Sequence, residues 1–134
     1  LVVNAGLDYL LSAGLAAGSQ ITSWYVGLTS ASPTPAAADT LASHSGWTEI
    51  TDYDGSRKAW TAGAVSGRSV DNAGSPASFD ISGSASVGGA FLASAASGTS
   101  GTLYSAGAFA GGNKSVGSGD TLVVTSTFTQ AAAS

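Results

Sequence analysis

Charged side chains are scarce in this 134-residue chain. Asp, Glu, Lys and Arg make up 9% of the residues, against roughly 25% in an ordinary soluble domain. Small neutral residues take their place, including 19 glycines. A freely diffusing enzyme normally keeps a charged surface for solubility, whereas a neutral surface costs little free energy to desolvate when another protein covers it. The composition therefore favours a subunit of a larger assembly over a catalyst.

Cysteine is absent, and lysine and arginine together number four. The lack of Cys excludes disulfides and thiolate metal sites and fits synthesis in a reducing cytoplasm. With a formal net charge of −4, the chain has too few cations to follow a phosphate backbone, so we expect no nucleic-acid partner. Because no apolar run approaches the roughly 18 residues that span a bilayer, we also expect no membrane partner.

Histidine occurs once, which limits the chemistry that the chain can perform. A nucleophilic triad needs a His beside a nucleophile and an acid, and His44 lies in a predicted loop where hydroxyl neighbours arise by chance. Glu49 is the single Glu, so a carboxylate pair with Asp52 for glycoside hydrolysis is weakly supported. The segment 52–55 resembles the start of a calcium loop but lacks the later ligands. We expect no enzyme activity, cofactor, metal or small-molecule substrate. His44 either forms a local hydrogen bond or contacts a neighbouring subunit, and we include it among the candidate partner contacts.

The first 18 residues carry the one helical period. Four leucines fall at i, i+3, i+4 and i+8, on one face of a helix: Leu7, Leu10, Leu11 and Leu15. We expect Asn4 to cap this helix and Gly18 to follow its end. We expect the leucines to cover one end of the core. Docking against a partner, with Leu7 and Leu11 as contacts, is the alternative.

After Gly18 the pattern changes to the two-residue alternation of β strands. The predicted strands are 21–28, 47–51, 57–62, 66–70, 77–81, 86–95, 103–109 and 121–129. A long surface loop, 29–45, contains Pro33 and Pro35, which break either element. Several short strands separated by Gly-rich turns predict a mainly β fold, an antiparallel β-sandwich of jelly-roll type with one short N-terminal helix. We assign residues 1–134 to one domain, with a helical segment 1–18 and a sandwich 19–134.

Nine large apolar side chains are expected to contribute to the core of this sandwich. They are Trp24, Val26, Leu28, Phe79, Phe91, Leu103, Leu122, Val124 and Phe128. Arg57, Lys58 and Arg68 bracket Trp60 in two neighbouring predicted strands. These cations either form a solvated face, paired with nearby Asp, or meet acidic groups on a partner. Arg57 and Lys58, with the Pro33–Pro35 loop, are our candidate partner contacts outside the helix.

The order of several short segments along almost the whole chain is distinctive. These segments are Asn4–Leu11, Trp24–Pro33, Lys58–Trp60, Ser69–Asn72, Pro76–Ile81, Val87–Leu92, Gly101–Gly107 and Val116–Thr125. This order resembles that of small virion structural proteins of tailed bacteriophages, most closely the capsid decoration, or cement, proteins. Members often carry a Gly-Asp-Thr turn into a final alternating strand, here Gly119-Asp120-Thr121.

The resemblance implies a β-sandwich without catalysis and a place on the virion, and it leaves open whether that place is the capsid or the tail. We expect the outer capsid surface, after synthesis in the host bacterial cytoplasm. We expect the major capsid protein and further copies of the chain as partners. A homotrimer is expected because the surface is nearly neutral and icosahedral lattices offer threefold sites. The alternative is a tail-associated or adhesin-type module that binds glycans through exposed aromatic rings. Burial of Trp24, Trp47 and Trp60 would remove the contact residues of that alternative.

Overall fold

A six-stranded antiparallel sheet forms the largest layer of the computed structural model, which describes residues 1–131. The elements in chain order are α1 (Asn4–Leu15), β1 (Trp24–Ser30), β2 (Glu49–Ile50), β3 (Lys58–Trp60), β4 (Ser69–Asp71), β5 (Ala77–Asp80), β6 (Ala85–Ala93), β7 (Leu103–Ala108), β8 (Lys114–Val116), β9 (Thr121–Val124) and β10 (Thr127–Thr129). The large sheet has the order β2-β1-β6-β7, with β3 also paired to β1 and β8 to β6. Two antiparallel pairs, β5–β9 and β4–β10, complete the strands. The predicted mainly β, antiparallel, sandwich-like fold with one N-terminal helix is confirmed.

The large sheet is covered on both faces, because each side carries its own apolar cluster. On one face lies the inner cluster: Val26, Leu28, Tyr53, Ala77, Phe79, Ile81, Val87, Leu92 and Val124. On the other lies the outer cluster: Val3, Leu41, Trp47, Phe91, Ala93, Leu103 and Ala106. Successive residues Phe91 and Leu92 of β6 point to opposite faces, as the pleat requires. The inner cluster joins the sheet to the β5–β9 pair. The outer cluster joins it to the N-terminal segment and to the loop between β1 and β2, residues 31–48, which we call the proline loop.

The Phe91 ring packs into the outer cluster because it lies directly against Gly27 on the neighbouring strand. Gly27 pairs with Phe91 across β1 and β6, and a Cβ at Gly27 would lie 2.2 Å from the Phe91 ring. Only a residue without a side chain leaves the ring room to lie over the strand. Six of the nine predicted core residues are fully buried, and Trp24, Leu122 and Phe128 are half-buried against the inner cluster.

The final predicted strand, 121–129, is interrupted, and this part of the prediction is wrong. Strand β9 ends at Val124 and β10 begins at Thr127, so the two halves pair with different strands. The fully buried Asn72 lies at the break: its Nδ2 donates to the Val124 carbonyl at 3.2 Å, and its Oδ1 accepts from the Ser126 amide at 2.8 Å. One side chain therefore satisfies the backbone groups that leave the ladder.

Smaller differences concern the edges of elements. Strand β8, a three-residue, largely exposed strand that pairs with the start of β6, was not predicted. Strand β1 continues to Ser30, so the loop predicted at 29–45 begins two residues later. The predicted N-cap, Asn4, is instead the first residue of α1. The N-cap position is held by Val3, whose side chain forms no capping hydrogen bond. The left-handed residue after the helix is Ala17, with φ of 58°, so the prediction of Gly18 at this position is wrong by one residue.

Candidate functional site

Three leucines of α1 form an exposed stripe, which we call the leucine face: Leu7, Leu11 and Leu15. Their side chains are 47%, 58% and 85% exposed. They lie at i, i+4 and i+8, so they are neighbours along one side of the helix. The expectation that the leucines cover the core is therefore wrong for these three, and only Leu10 is half-buried. Large apolar side chains that stay in water as a contiguous stripe mark an interaction surface.

The opposite side of the helix faces the sheet because of a glycine and a tyrosine. Gly6 is the buried residue of α1, and a Cβ there would lie 2.4 Å from the Tyr104 carbonyl oxygen. The Tyr9 hydroxyl accepts a hydrogen bond from the Ile21 amide at 2.8 Å, and its ring meets Trp24 edge-on at 5.3 Å between centroids. These contacts fix the rotation of α1 and so turn the leucine face outward.

An apolar groove of about 540 Å³ extends from the helix toward the β4–β10 pair. Leu7 and Leu10 form one wall, and Val65, Val70 and Phe128 belong to the other. Val65 is 74% exposed. The groove carries one charged residue, Arg68. It enlarges the apolar surface of the leucine face beyond the helix itself.

The proline loop is held by a buried carboxylate. Asp39 Oδ2 accepts from the Ala36 amide at 2.9 Å and from Trp47 Nε1 at 3.2 Å. Pro33 is buried and Pro35 is half-buried, so Pro35 is the better exposed of the two predicted contacts.

His44 lies at the end of this loop, stacked on Trp47. Their rings are 3.6 Å apart with an interplanar angle of 3°. The Nδ1 of His44 lies 2.9 Å from the Trp47 carbonyl oxygen. Because a carbonyl only accepts, Nδ1 is the protonated nitrogen of this contact. The ring is half-buried, so its free edge remains available to a partner.

The two predicted cationic contacts differ in exposure. Arg57 is 6% exposed and forms an ion pair with Glu49 at 2.8 Å, so it belongs to the interior and not to a solvated face. Lys58 is half-buried, with Nζ donating to the Asp54 carbonyl at 2.7 Å and lying 5.7 Å from the centre of the Tyr53 ring. Lys58 is therefore the cation of this pair that a partner can reach.

The acidic residues of the turns serve the backbone. Asp120 Oδ2 accepts from the Gly117 amide at 2.8 Å, which closes the Gly-rich turn before β9. Within residues 1–131, no group of three or more His, Asp or Glu is placed to hold a metal ion. Across the same residues, no helix is long and apolar enough to cross a membrane.

No protein-family model matches the chain, and no curated protein matches it either.

Proposed function

We propose that the protein is a non-enzymatic structural subunit of a bacteriophage virion that decorates the outer capsid surface and stabilises the shell. Its partners are the major capsid protein and further copies of itself, in a symmetric oligomer that we take to be a trimer because icosahedral lattices offer threefold sites. The chain is made in the host cytoplasm and acts on the virion. The observation that carries the proposal is the leucine face on a surface with few charges.

The energetics of the leucine face suit association. Fully burying a leucine side chain is worth roughly 1.5–3 kcal/mol relative to leaving it exposed, and Leu7, Leu11 and Leu15 are available together. Asp8 is the single charged residue of α1. Covering this face therefore desolvates little charge. An interface of this kind also changes little with salt, because screening acts on charges.

A subunit of this kind stabilises a shell by mass action. It binds the assembled lattice and not the dissociated subunits, so the stabilisation grows with affinity and occupancy. A contribution of a few kcal/mol per copy is ample because it repeats at every lattice site. The proposed contacts are Leu7, Leu11, Pro35, His44 and Lys58. Arg57 and Pro33 support these contacts from within the fold.

The glycan-binding alternative has less support from the geometry. Trp47 is 2% exposed and lies between His44 and Phe91 in the outer cluster. Trp24 and Trp60 are half-buried among other aromatic rings. A saccharide site needs an exposed ring face with polar partners beside it. Trp47 does not offer that arrangement, whereas Trp24 and Trp60 line an open groove beside Gln20 and Thr61 and are what remains of this alternative.

The test compares particles with and without this protein. Particles from a host infected with a phage lacking its gene are heated and diluted into low salt beside intact particles, and DNA release is measured. We expect release at a lower temperature from the particles that lack it, and restoration when purified protein is added. Equal stability of the two preparations, or labelling found on the tail and never on the shell, would overturn the proposal.

A further inference from the structure

Five aromatic side chains form a continuous cluster between α1, the large sheet and the β4–β10 pair, which we call the aromatic cluster: Tyr9, Trp24, Tyr104, Phe128 and Trp60. Neighbouring rings meet edge to face, with centroid separations of 5.3, 5.5, 5.1 and 5.7 Å in that order. All five are half-buried. The cluster is thus neither a sealed core nor an open surface.

These rings surround a cleft of about 150 Å³. Leu10, Val70 and Leu92 complete its lining, so every lining residue is aromatic or aliphatic and none carries a charge. An enclosed apolar cavity of roughly this size accepts benzene in a well-studied engineered protein, so this open cleft has the volume that a single aromatic ring needs. Burial raises the pKa of the Tyr104 hydroxyl above its ordinary value, so this group is neutral at physiological pH. The cleft therefore favours a neutral, apolar guest.

The indole of Trp60 adds one polar requirement. Its Nε1 is buried and has no hydrogen-bond partner among the described residues. Buried Trp N–H groups usually have a partner, and leaving a donor unsatisfied costs free energy. By contrast, the Trp47 Nε1 donates to Asp39 and the Tyr9 hydroxyl is engaged with Ile21. A guest that enters beside the Trp60 ring and carries an acceptor removes this penalty.

We propose that the aromatic cleft is a binding site for a small neutral aromatic molecule that carries a hydrogen-bond acceptor. Ring faces and aliphatic side chains hold the guest, and Trp60 Nε1 donates to its acceptor. The β4–β10 pair supplies Val70 and Phe128, and each of its strands has only three residues. Because Trp60 Nε1 is buried in this structure, the proposal requires a small displacement of this pair that opens the indole edge to the guest. The proposal does not depend on the virion function.

The experiment follows the three indole N–H signals in ¹H–¹⁵N spectra of the whole chain during titration with acetophenone. The signals of Trp24 and Trp60 should shift and saturate with a Kd on the order of 0.1–1 mM, as fragment-sized ligands allow. The signal of Trp47, which lies in the outer cluster, serves as the internal control and should stay in place. Benzoate carries a charge and methyl glucoside is a saccharide. Both should bind at least about tenfold more weakly than acetophenone.

Variants separate the two parts of the proposal. W60F removes the N–H and keeps a ring, so acetophenone affinity should fall roughly fivefold while toluene affinity changes little. L10F fills the cleft and should abolish binding of both acetophenone and toluene. V70F replaces it if L10F does not fold. V123F places the same ring at an exposed site and should leave binding unchanged. Parallel shifts at all three indoles, absence of saturation, equal binding of benzoate, or an unchanged acetophenone affinity in W60F would overturn the assignment.

Discussion

The guanidinium of Arg57 meets the carboxylate of Glu49 at two points, with Nε–Oε2 and Nη2–Oε1 distances of 2.8 Å each. The same guanidinium donates to the carbonyls of Ala95 and Gly98 at 2.9 and 2.8 Å. One side chain therefore ties β2 to the loop that follows β6. Its planar, five-donor geometry is what lysine lacks.

Replacing Arg57 should be strongly destabilising. R57M leaves Glu49 without its cation and two carbonyls without their donors, and breaking a buried pair from one side costs about 3 kcal/mol. K58M, one residue along, removes a half-buried cation with a single backbone contact and should cost less than about 1 kcal/mol. Urea unfolding of both variants measures the difference. Equal losses of stability would contradict the structural role given to Arg57.

Asn72 should be equally sensitive, because its amide bridges the break between β9 and β10. N72L removes both hydrogen bonds and leaves the Val124 carbonyl and the Ser126 amide unsatisfied, at about 1–3 kcal/mol for each group that stays buried. The exposed Asn113 also accepts a hydrogen bond, from the Ser32 amide, but water can replace it. N113A should therefore cost less than about 1 kcal/mol. Thermal unfolding of the two variants tests this comparison.

Strands were predicted correctly where the alternating apolar residues are buried. The prediction failed where a residue distant in sequence interrupts the strand pairing. Val26, Leu28 and Phe79 were identified from their period of two. The break at residues 125–126 depends on Asn72, which is distant in sequence. The residues around Thr125 carry no local pattern that predicts a break. Strand β8 was missed for a related reason: its short, exposed sequence carries no apolar signal, and pairing with β6 alone defines it.

Two glycines of α1 should respond in opposite ways to alanine. G6A places a Cβ 2.4 Å from the Tyr104 carbonyl oxygen, which forces the helix away from the sheet at a cost of about 1–3 kcal/mol. At Gly14 a Cβ meets nothing within 4 Å, so G14A should stabilise the fold by up to about 1 kcal/mol through helix propensity. Urea unfolding measures the change in the free energy of unfolding for each variant, which should fall for G6A and rise for G14A. Stabilisation by G6A would show that the helix does not dock through this residue.

Alkaline pH should destabilise the fold through Tyr53. Burial, and next the charge of Glu49, raise the pKa of Tyr53 from 10.0 to about 12, although Arg57 lowers it in part. Below pH 10 both states keep the proton and stability is unaffected by this group. Between pH 10 and about 12 the unfolded chain loses the proton first, so the free energy of unfolding falls, by about 2 kcal/mol in all.

The variant Y53F isolates this effect because it cannot ionise. The difference in unfolding free energy between the native chain and Y53F should be constant up to pH 10 and change above it. Urea unfolding at several pH values from 8 to 12 measures that difference. A difference that remains constant across pH 10–12 would contradict the raised pKa.

The site could be predicted in part. The helical period placed Leu7, Leu11 and Leu15 on one side of α1, but period alone does not say which side faces the sheet. Gly6 decides it by allowing the Tyr104 carbonyl to approach, and nothing in the local sequence marks that glycine as a contact. Arg57 was misjudged because its partners Glu49, Ala95 and Gly98 come together only in the folded sheet.

The most direct test of the virion proposal is binding of the purified protein to particles that lack it, measured by co-sedimentation. The native chain should bind to saturation, and L11E/L15E should bind at least about tenfold more weakly, because two charges then need to be desolvated. V123E, at another exposed apolar position, should bind as the native chain does, and all three proteins should unfold at similar urea concentrations. Binding of L11E/L15E equal to that of the native chain would contradict the account.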